Sequence, residues 1–313
     1  MPFRCPGDRM SVQIVFQQML IIFILIMTGY VVYKKGIIQE DTSRGISALV
    51  VNVCNPAILI RSAFERDASV TAEKIGMAVL GAAVMYGLLI VVSMILPKIL
   101  GAEEKWRNHY ALMCLFGTTG FIGIPLVLAV LGSQSLIYVA IVNAFFNLLF
   151  YTYGLRLADT RSNRGIRFKD FLNAGNLSIV ITILLFVFQP PLPAVVTSAV
   201  NYMADTTTFL AMVVIGISLA RTDLREMLTR WKMYLFIALR FLVVPVALGL
   251  LLRLFITDAT VYGTIVLLAS VPVANLPLMR VEELGGDTRV LSCGIILSTV
   301  LSLITIPLVV AFV

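Results

Sequence analysis

Charged residues are scarce in this sequence. Asp, Glu, Lys and Arg make up 13% of its 313 residues, whereas a soluble domain has about 25%. Hydrophobic residues make up 59%, and the mean hydropathy is +0.98. Apolar runs of about 20 residues, the length that crosses a bilayer, recur along the whole chain. This composition excludes an ordinary soluble domain and predicts an all-α integral membrane protein that lies in a lipid bilayer.

Residues that bind metals or catalyse reactions are also scarce. The sequence has one histidine, His109, and four cysteines, of which no two form a CxxC pair. We therefore expect no metal site of the His/Cys type and no cofactor. Without an HExxH motif or a catalytic pair, we do not expect an enzyme. The net charge of +7 has no separate basic domain behind it, so we expect no nucleic-acid partner.

Ten apolar segments predict ten transmembrane helices. The first run, from Ser11 to Val32, is too long for the apolar region of a signal peptide. The predicted spans are 12–33, 45–60, 75–97, 109–131, 136–155, 172–190, 194–220, 233–252, 259–279 and 290–313.

Basic residues are distributed unevenly between alternate loops. Of the 24 Lys and Arg residues, 17 lie in loops on one side of the predicted membrane and six on the other. The positive-inside rule then places both termini outside, in a multi-pass protein of the plasma (inner) membrane. The basic loop 156–171 is predicted to be cytoplasmic and to link a first five-span repeat, 1–155, to a second, 172–313. Because five is odd, the two repeats have inverted orientations.

Two spans carry helix breakers at corresponding positions. Span 4 contains "GTTGFIGIP", a stretch that ends at Pro125, and span 9 contains "ASVPVANLP", a stretch that ends at Pro277, 152 residues later. Proline removes a backbone hydrogen bond. A broken helix survives in a bilayer only where it is buried in protein or lines a polar cavity. Paired breaks in the two halves are typical of transporters built from inverted repeats.

We expect unwound segments at about 117–124 and 272–276, with each proline starting a second half-helix. The two broken helices would cross near the midplane. Each half-helix would then present free N–H groups and about half a positive charge, which together favour a small anion. The alternative is that the two prolines only kink packed helices. The candidate substrate-binding residues are Thr118, Thr119, Gly123, Pro125, Asn143, Asn147, Asn275, Pro277 and Arg240.

Two of these candidates form a polar stripe in span 5. Asn143 and Asn147 are four residues apart and share one helix face. Span 10 carries Ser298, Ser302 and Thr305 at helical spacing. Such amides and hydroxyls suit a carboxylate ligand, but interhelical hydrogen bonding between packed spans gives the same pattern.

Two ionisable residues lie well inside the predicted spans, Asp205 and Arg240. Their predicted depths differ by roughly 12 Å, so a direct pair is not expected. Arg240 either extends toward the cytoplasm or turns inward as a counter-charge for substrate. Asp205 is either a proton or cation carrier or a protonated acid hydrogen-bonded among Thr206, Thr207 and Thr208.

Several stretches resemble the auxin efflux carrier family. They are "GTTGFIGIPL", "NPAIL", "RFLVVP" and "VPVANLPLMRVEELGGD" running on through "LSTVLSLITIPL". The resemblance covers essentially the whole chain and is nearest to bacterial members described as malate or malonate permeases. It implies an elevator-type carrier, in which spans 1, 2, 6 and 7 form a scaffold, often dimeric, and the other spans move.

The resemblance also implies roles for particular residues. Pro125 and Pro277 match the crossover prolines, Asn275 matches the polar position of the second crossing, and Asn143 falls near the polar position of span 5. Thr118 stands where plant members have Asn, which puts an auxin-like ligand in doubt. Span 7 also has Phe at 209, where many bacterial relatives have proline.

The sequence thus predicts a secondary active transporter of a small organic anion, a mono- or dicarboxylate such as malate or malonate. The expected partners are this anion, a proton or sodium ion for coupling by symport, and a second copy of the chain in a homodimer. The alternatives are a cation/proton antiporter-like carrier of the same fold and an auxin-like weak-acid efflux carrier. A cation carrier needs carboxylates at the crossing, and neither 117–125 nor 272–277 contains one. A receptor or regulatory membrane protein is also an alternative.

Overall fold

The structure is a computed structural model that describes residues 12–64, 70–159, 174–221 and 231–313. Its regular structure is helical. The helices of the first half are α1 (Val12–Lys34), α2 (Glu40–Leu49), α3 (Asn55–Phe64), α4 (Ala72–Ile99), α5 (Glu104–Leu115), α6 (Ile124–Leu131), α7 (Leu136–Leu149) and α8 (Leu155–Ala158). Those of the second half are α9 (Ala174–Phe188), α10 (Ala194–Ala220), α11 (Trp231–Ala238), α12 (Val244–Leu252), α13 (Ala259–Ser270), α14 (Leu276–Glu283) and α15 (Arg289–Phe312).

Length and composition identify the membrane helices. Within the described ranges, six helical segments are long and apolar enough to cross a membrane, and four shorter apolar helices accompany them. The chain is therefore a multi-pass membrane protein. The segment Arg289–Phe312 illustrates the pattern, because its mean hydropathy is 2.5 and half of its span lies buried against other helices. The predicted linker 156–171 falls largely outside the described residues.

Four π-helical turns interrupt the helices, at Val50–Cys54, Thr119–Gly123, Phe150–Gly154 and Leu239–Val243. Three of them end two residues before a proline: Pro56, Pro125 and Pro245. Proline donates no hydrogen bond and its ring collides with the preceding turn of an α-helix. A wider turn relieves that collision while the helix continues, and such turns are frequent at functional sites.

The helices pack as two groups. In the first, α10 contacts α1 and α3, and α3 contacts α9. In the second, α4 contacts α5, α7 and α13, while α15 contacts α5 and α11. The groups meet where α1 contacts α15. Two glycines bring α1 and α10 together, because a Cβ on Gly216 would lie 1.9 Å from the Ile26 oxygen and one on Gly29 would lie 2.3 Å from the Val213 oxygen.

Two helical segments are broken. The first break lies between α5 and the π-turn Thr119–Gly123, and the second lies between α13 and α14. The second matches the prediction closely, and Pro277 is the second residue of α14. The first is shorter than predicted, because Thr119–Gly123 is helical. Pro125 is the second residue of α6, as predicted, but a π-turn precedes this helix, so the chain is already helical from Thr119.

Candidate functional site

The two breaks cross and pair with each other. Gly117 and Val273 form an antiparallel bridge. The Thr118 amide donates to the Pro272 carbonyl at 2.7 Å, and the Ala274 amide donates to the Phe116 carbonyl at 2.9 Å. Two hydrogen bonds between the breaks thus satisfy some of the backbone groups that each break frees, which is what a broken helix needs at membrane depth. The pairing explains why the two breaks occur together.

Small and polar side chains complete the crossing. A Cβ on Gly117 would lie 2.9 Å from the Val271 side chain and 3.2 Å from the Val271 oxygen. Glycine therefore permits the close approach of the two unwound segments. The Val273 amide donates to the Ser298 hydroxyl of α15 at 3.1 Å. Ser298 is 2% exposed. The serine therefore fixes the second break to α15.

Backbone donors remain available where both chains turn helical again. In the described part of the chain, no backbone carbonyl accepts a hydrogen bond from the amides of Gly120 or Phe121. The same holds for the amides of Leu276 and Leu278 in the first turn of α14. Free N–H groups at the start of a helix carry a partial positive charge and bind anions.

Asn143 and Thr119 connect the first break to α7. The Thr119 hydroxyl donates to the Asn143 Oδ1 at 2.6 Å, and both side chains are buried. The Asn143 amide nitrogen donates to no atom of the described residues. Sequence analysis left interhelical hydrogen bonding open as one explanation of the polar stripe, and Asn143 makes such a bond. The bond uses only the side-chain oxygen, so the side-chain N–H₂ of Asn143 is available to a ligand. Asn147 lies half-buried one turn further along the chain.

A cleft opens beside the crossing, between the two helix groups. The cleft is narrow: the volume open to the centres of water-sized spheres is about 10 Å³, enough for about one water molecule. The lining residues come from the crossing, from α10 and from α15: Thr118, Val273, Asn275, Ile215, Ser218, Leu219, Ile295, Ile296 and Thr299. None of these side chains is ionisable. Any charge that the cleft presents therefore comes from the backbone.

The cleft includes some predicted residues and leaves out others. Thr118 and Asn275 line it, and the side-chain amide of Asn275 makes no hydrogen bond to the described residues. Asn143 does not line it. Sequence analysis missed Ser218 and Thr299, each a lone small polar residue in an apolar run. Gly123 and Pro277 lie in the first turns of the second half-helices, where a Cβ on Gly123 would meet Leu268 at 2.6 Å.

Arg240 lies next to the crossing and is buried in protein. It belongs to the π-turn Leu239–Val243 and is 1% exposed. Its Nε donates to the Cys114 carbonyl, and its Nη1 donates to the Ala269 carbonyl at 2.9 Å. The guanidinium also lies 4.8 Å from the centre of the Phe241 ring. Arg240 is enclosed by protein rather than extended toward the cytoplasm, and it is not among the residues that line the cleft.

Asp205 lies apart from the crossing, on α10. Its carboxylate accepts a hydrogen bond from Arg61 of α3 at 2.6 Å, and its side chain is 66% exposed. This partner was missed because α3 continues to Phe64, beyond the predicted end at residue 60. Arg61 lies in the last turn of α3, near the end of the helix. The neighbouring Thr207 hydroxyl donates to the Cys54 carbonyl at 3.0 Å instead.

The helices and the crossing define a class: a multi-pass helical membrane protein in which two broken helices meet beside a neutral cleft. Comparison with known proteins makes this class specific. The family described as "Membrane transport protein" matches residues 14–168 and 166–310. The chain belongs to this membrane transport protein family, and the predicted resemblance to auxin efflux carriers is confirmed at the level of the family.

Two archaeal relatives are similar over nearly their whole length. An uncharacterized transporter of Methanothermobacter thermautotrophicus is 22% identical over 294 residues, 93% of this chain and 96% of the relative. An uncharacterized transporter of Methanocaldococcus jannaschii is 25% identical over 302 residues, 92% of this chain and 96% of the relative. Both relatives are named as transporters, and neither name states a substrate.

Proposed function

We propose that the protein is a secondary active transporter of a small organic anion, a mono- or dicarboxylate such as malate or malonate. The observation that carries this proposal is the crossing, where Thr118 and Asn275 line the cleft and free backbone amides of the two half-helices follow them in the chain. Partial positive charge without an ionisable side chain suits a carboxylate. The neutral cleft disfavours a cation/proton antiporter, which needs a carboxylate at the crossing.

The architecture we propose is two inverted five-span repeats, 1–155 and 172–313, joined by the segment 156–171. Corresponding helices support it, because α2 and α10 begin at 40 and 194, α5 and α13 at 104 and 259, and α15 begins 156 residues after the short turn at Ser133. These separations are nearly equal. The cleft lies between the two helix groups, as an elevator-type mechanism requires, with a scaffold of spans 1, 2, 6 and 7, proposed to be a homodimer.

The orientation we propose has both termini outside the plasma membrane. The basis is the split of 17 basic residues against six between alternate loops. Ser162, which lies outside the described residues, tests it as a single cysteine in a background without native cysteines. We expect an impermeant thiol reagent to leave this site unlabelled in intact cells and to label it after lysis. Ready labelling in intact cells would overturn the orientation.

The coupling we propose is with protons. Moving an anion into a cell against the membrane potential costs about 2.3 kcal/mol per charge per 100 mV, so uptake needs co-transported cations. Asp205 is the proposed carrier, and its protonation would release Arg61. Sodium held by backbone carbonyls is the competing choice, and outward movement of a weak acid, as in an auxin-like carrier, would need no coupling ion.

The test is a panel of radiolabelled mono- and dicarboxylates in proteoliposomes, with imposed proton and sodium gradients. We expect saturable uptake of at least one carboxylate, driven by an inward proton gradient. Uptake that follows sodium alone would reject proton coupling while retaining the transport proposal. A protein that moves none of the anions in either direction would contradict the proposed function and favour a receptor.

A further inference from the structure

Arg240 is a buried charge without an acidic partner. Among the described residues whose burial is known, it is the one charged side chain classed as buried. The carboxylates that form ion pairs in the described ranges, such as Asp205 and Asp258, pair with other cations. A buried charge requires compensation, because its transfer from water is costly. The compensation here must come from the groups that touch the guanidinium.

Those groups are the ends of two helices. Cys114 is the next-to-last residue of α5, and Ala269 is the next-to-last residue of α13. Carbonyls in the last turn of a helix lack intrahelical partners and carry about half a negative charge. Two such ends together supply roughly the charge that one guanidinium needs. Each end also immediately precedes one of the two breaks.

We propose that Arg240 is a positioning residue of the transport site, which holds the C-terminal ends of both broken helices together and offsets their negative charge. This inference rests on the proposed function. Because Arg240 neutralises the two negative helix ends, the positive ends of the two second half-helices remain to attract an anion. Arg240 does this without touching the substrate, because its Nε and Nη1 are both engaged by backbone carbonyls.

Two substitutions separate the charge from the geometry. Arg240→Met removes the charge and all donors at similar length, and Arg240→Lys keeps the charge but loses the planar fork that reaches two carbonyls. Arg253→Met is the matched control, since Arg253 is an exposed arginine at the end of α12. Each purified variant is measured in proteoliposomes for the KM and kcat of one monocarboxylate and one dicarboxylate. Hydrogen exchange of the Thr118 and Ala274 amides is measured without substrate.

For Arg240→Met we expect KM to rise about tenfold, within the range for a charge at a buried helix terminus, and to rise more for the dicarboxylate than for the monocarboxylate. For Arg240→Lys we expect a smaller rise in KM, with faster exchange of both crossing amides. Arg253→Met should match the wild type. A merely structural role would lower the amount of active protein and leave KM unchanged for both substrates.

Several results would overturn the inference. A folded Arg240→Met variant with wild-type KM values and wild-type amide exchange would do so. If Arg240→Met does not fold, Arg240→Lys is the deciding variant. Unchanged amide exchange of Thr118 and Ala274 in that variant would show that Arg240 does not hold the two helix ends together. If the wild type transports no carboxylate, the proposed function fails, but exchange in the absence of substrate still tests whether Arg240 holds the crossing.

Discussion

Ser298 provides a sharp test of how the crossing is held. Its hydroxyl accepts the hydrogen bond of the Val273 amide at 3.1 Å and donates to the Ile295 carbonyl of its own helix at 3.1 Å. Ser298→Ala would leave a buried amide unpaired in the second break. Such an orphaned donor costs about 1–3 kcal/mol. If the crossing opens locally, amide exchange there should become about 5- to 150-fold faster.

Ser302 is the matched control, one turn further along α15. It is as buried as Ser298, at 2% exposure, but its hydroxyl donates only to the Thr299 carbonyl of its own helix at 2.6 Å. We expect Ser302→Ala to leave exchange at the crossing unchanged. The assay is hydrogen exchange with mass spectrometry on peptides that cover 271–275, together with thermal unfolding in the same detergent. Equal effects of the two substitutions would refute this assignment to Ser298.

Three further outcomes are expected. Asn275→Ala and Asn143→Ala should express normally and weaken substrate affinity about 5- to 150-fold, because an amide donor to the ligand is lost; the KM of uptake measures this. Asp205→Asn should abolish accumulation driven by a pH gradient and preserve counterflow exchange, because asparagine takes up no proton. Gly216→Ala should lower thermal stability, since its Cβ would lie 1.9 Å from a backbone oxygen of α1, whereas Gly87→Ala, with no such atom within 4 Å, should not.

Each of these has a contrary result. Unchanged affinity in both asparagine variants would remove those residues from the site. Accumulation by Asp205→Asn in response to a pH gradient alone would make the Arg61–Asp205 pair structural and place the proton path elsewhere. Equal melting temperatures for the two glycine variants would show that α1 and α10 separate easily at Gly216.

The broken helices could be located from the sequence because their signal is local. Paired prolines, glycines and an asparagine in apolar segments leave few alternatives in a bilayer. The second break was placed almost to the residue. The first was predicted too long, because a π-turn at Thr119–Gly123 allows the chain to become helical before Pro125. A proline indicates that a regular α-helix is interrupted, but it does not indicate whether the chain unwinds or forms a wider π-helical turn.

The partners of the charged residues could not be predicted from the sequence. Arg240 contacts carbonyls of Cys114 and Ala269, and a carbonyl belongs to every residue, so no side-chain pattern marks its position. The pairing of Arg61 was not predicted because a span defined by hydropathy ends near its first charged residue. The helix nevertheless continues, and Arg61 meets Asp205, 144 residues away in sequence. Both contacts depend on how separate helices pack.

Counterflow exchange of a radiolabelled dicarboxylate, malate or malonate, in proteoliposomes tests the central claim most directly, because exchange needs no coupling gradient. Liposomes loaded with unlabelled substrate are compared for the wild type, Asn275→Ala and Ser302→Ala. We predict rapid exchange by the wild type and Ser302→Ala, and exchange by Asn275→Ala only at substantially higher substrate concentration. Equal exchange by all three proteins would contradict a substrate site at the crossing, and no exchange by the wild type would contradict transport of these anions.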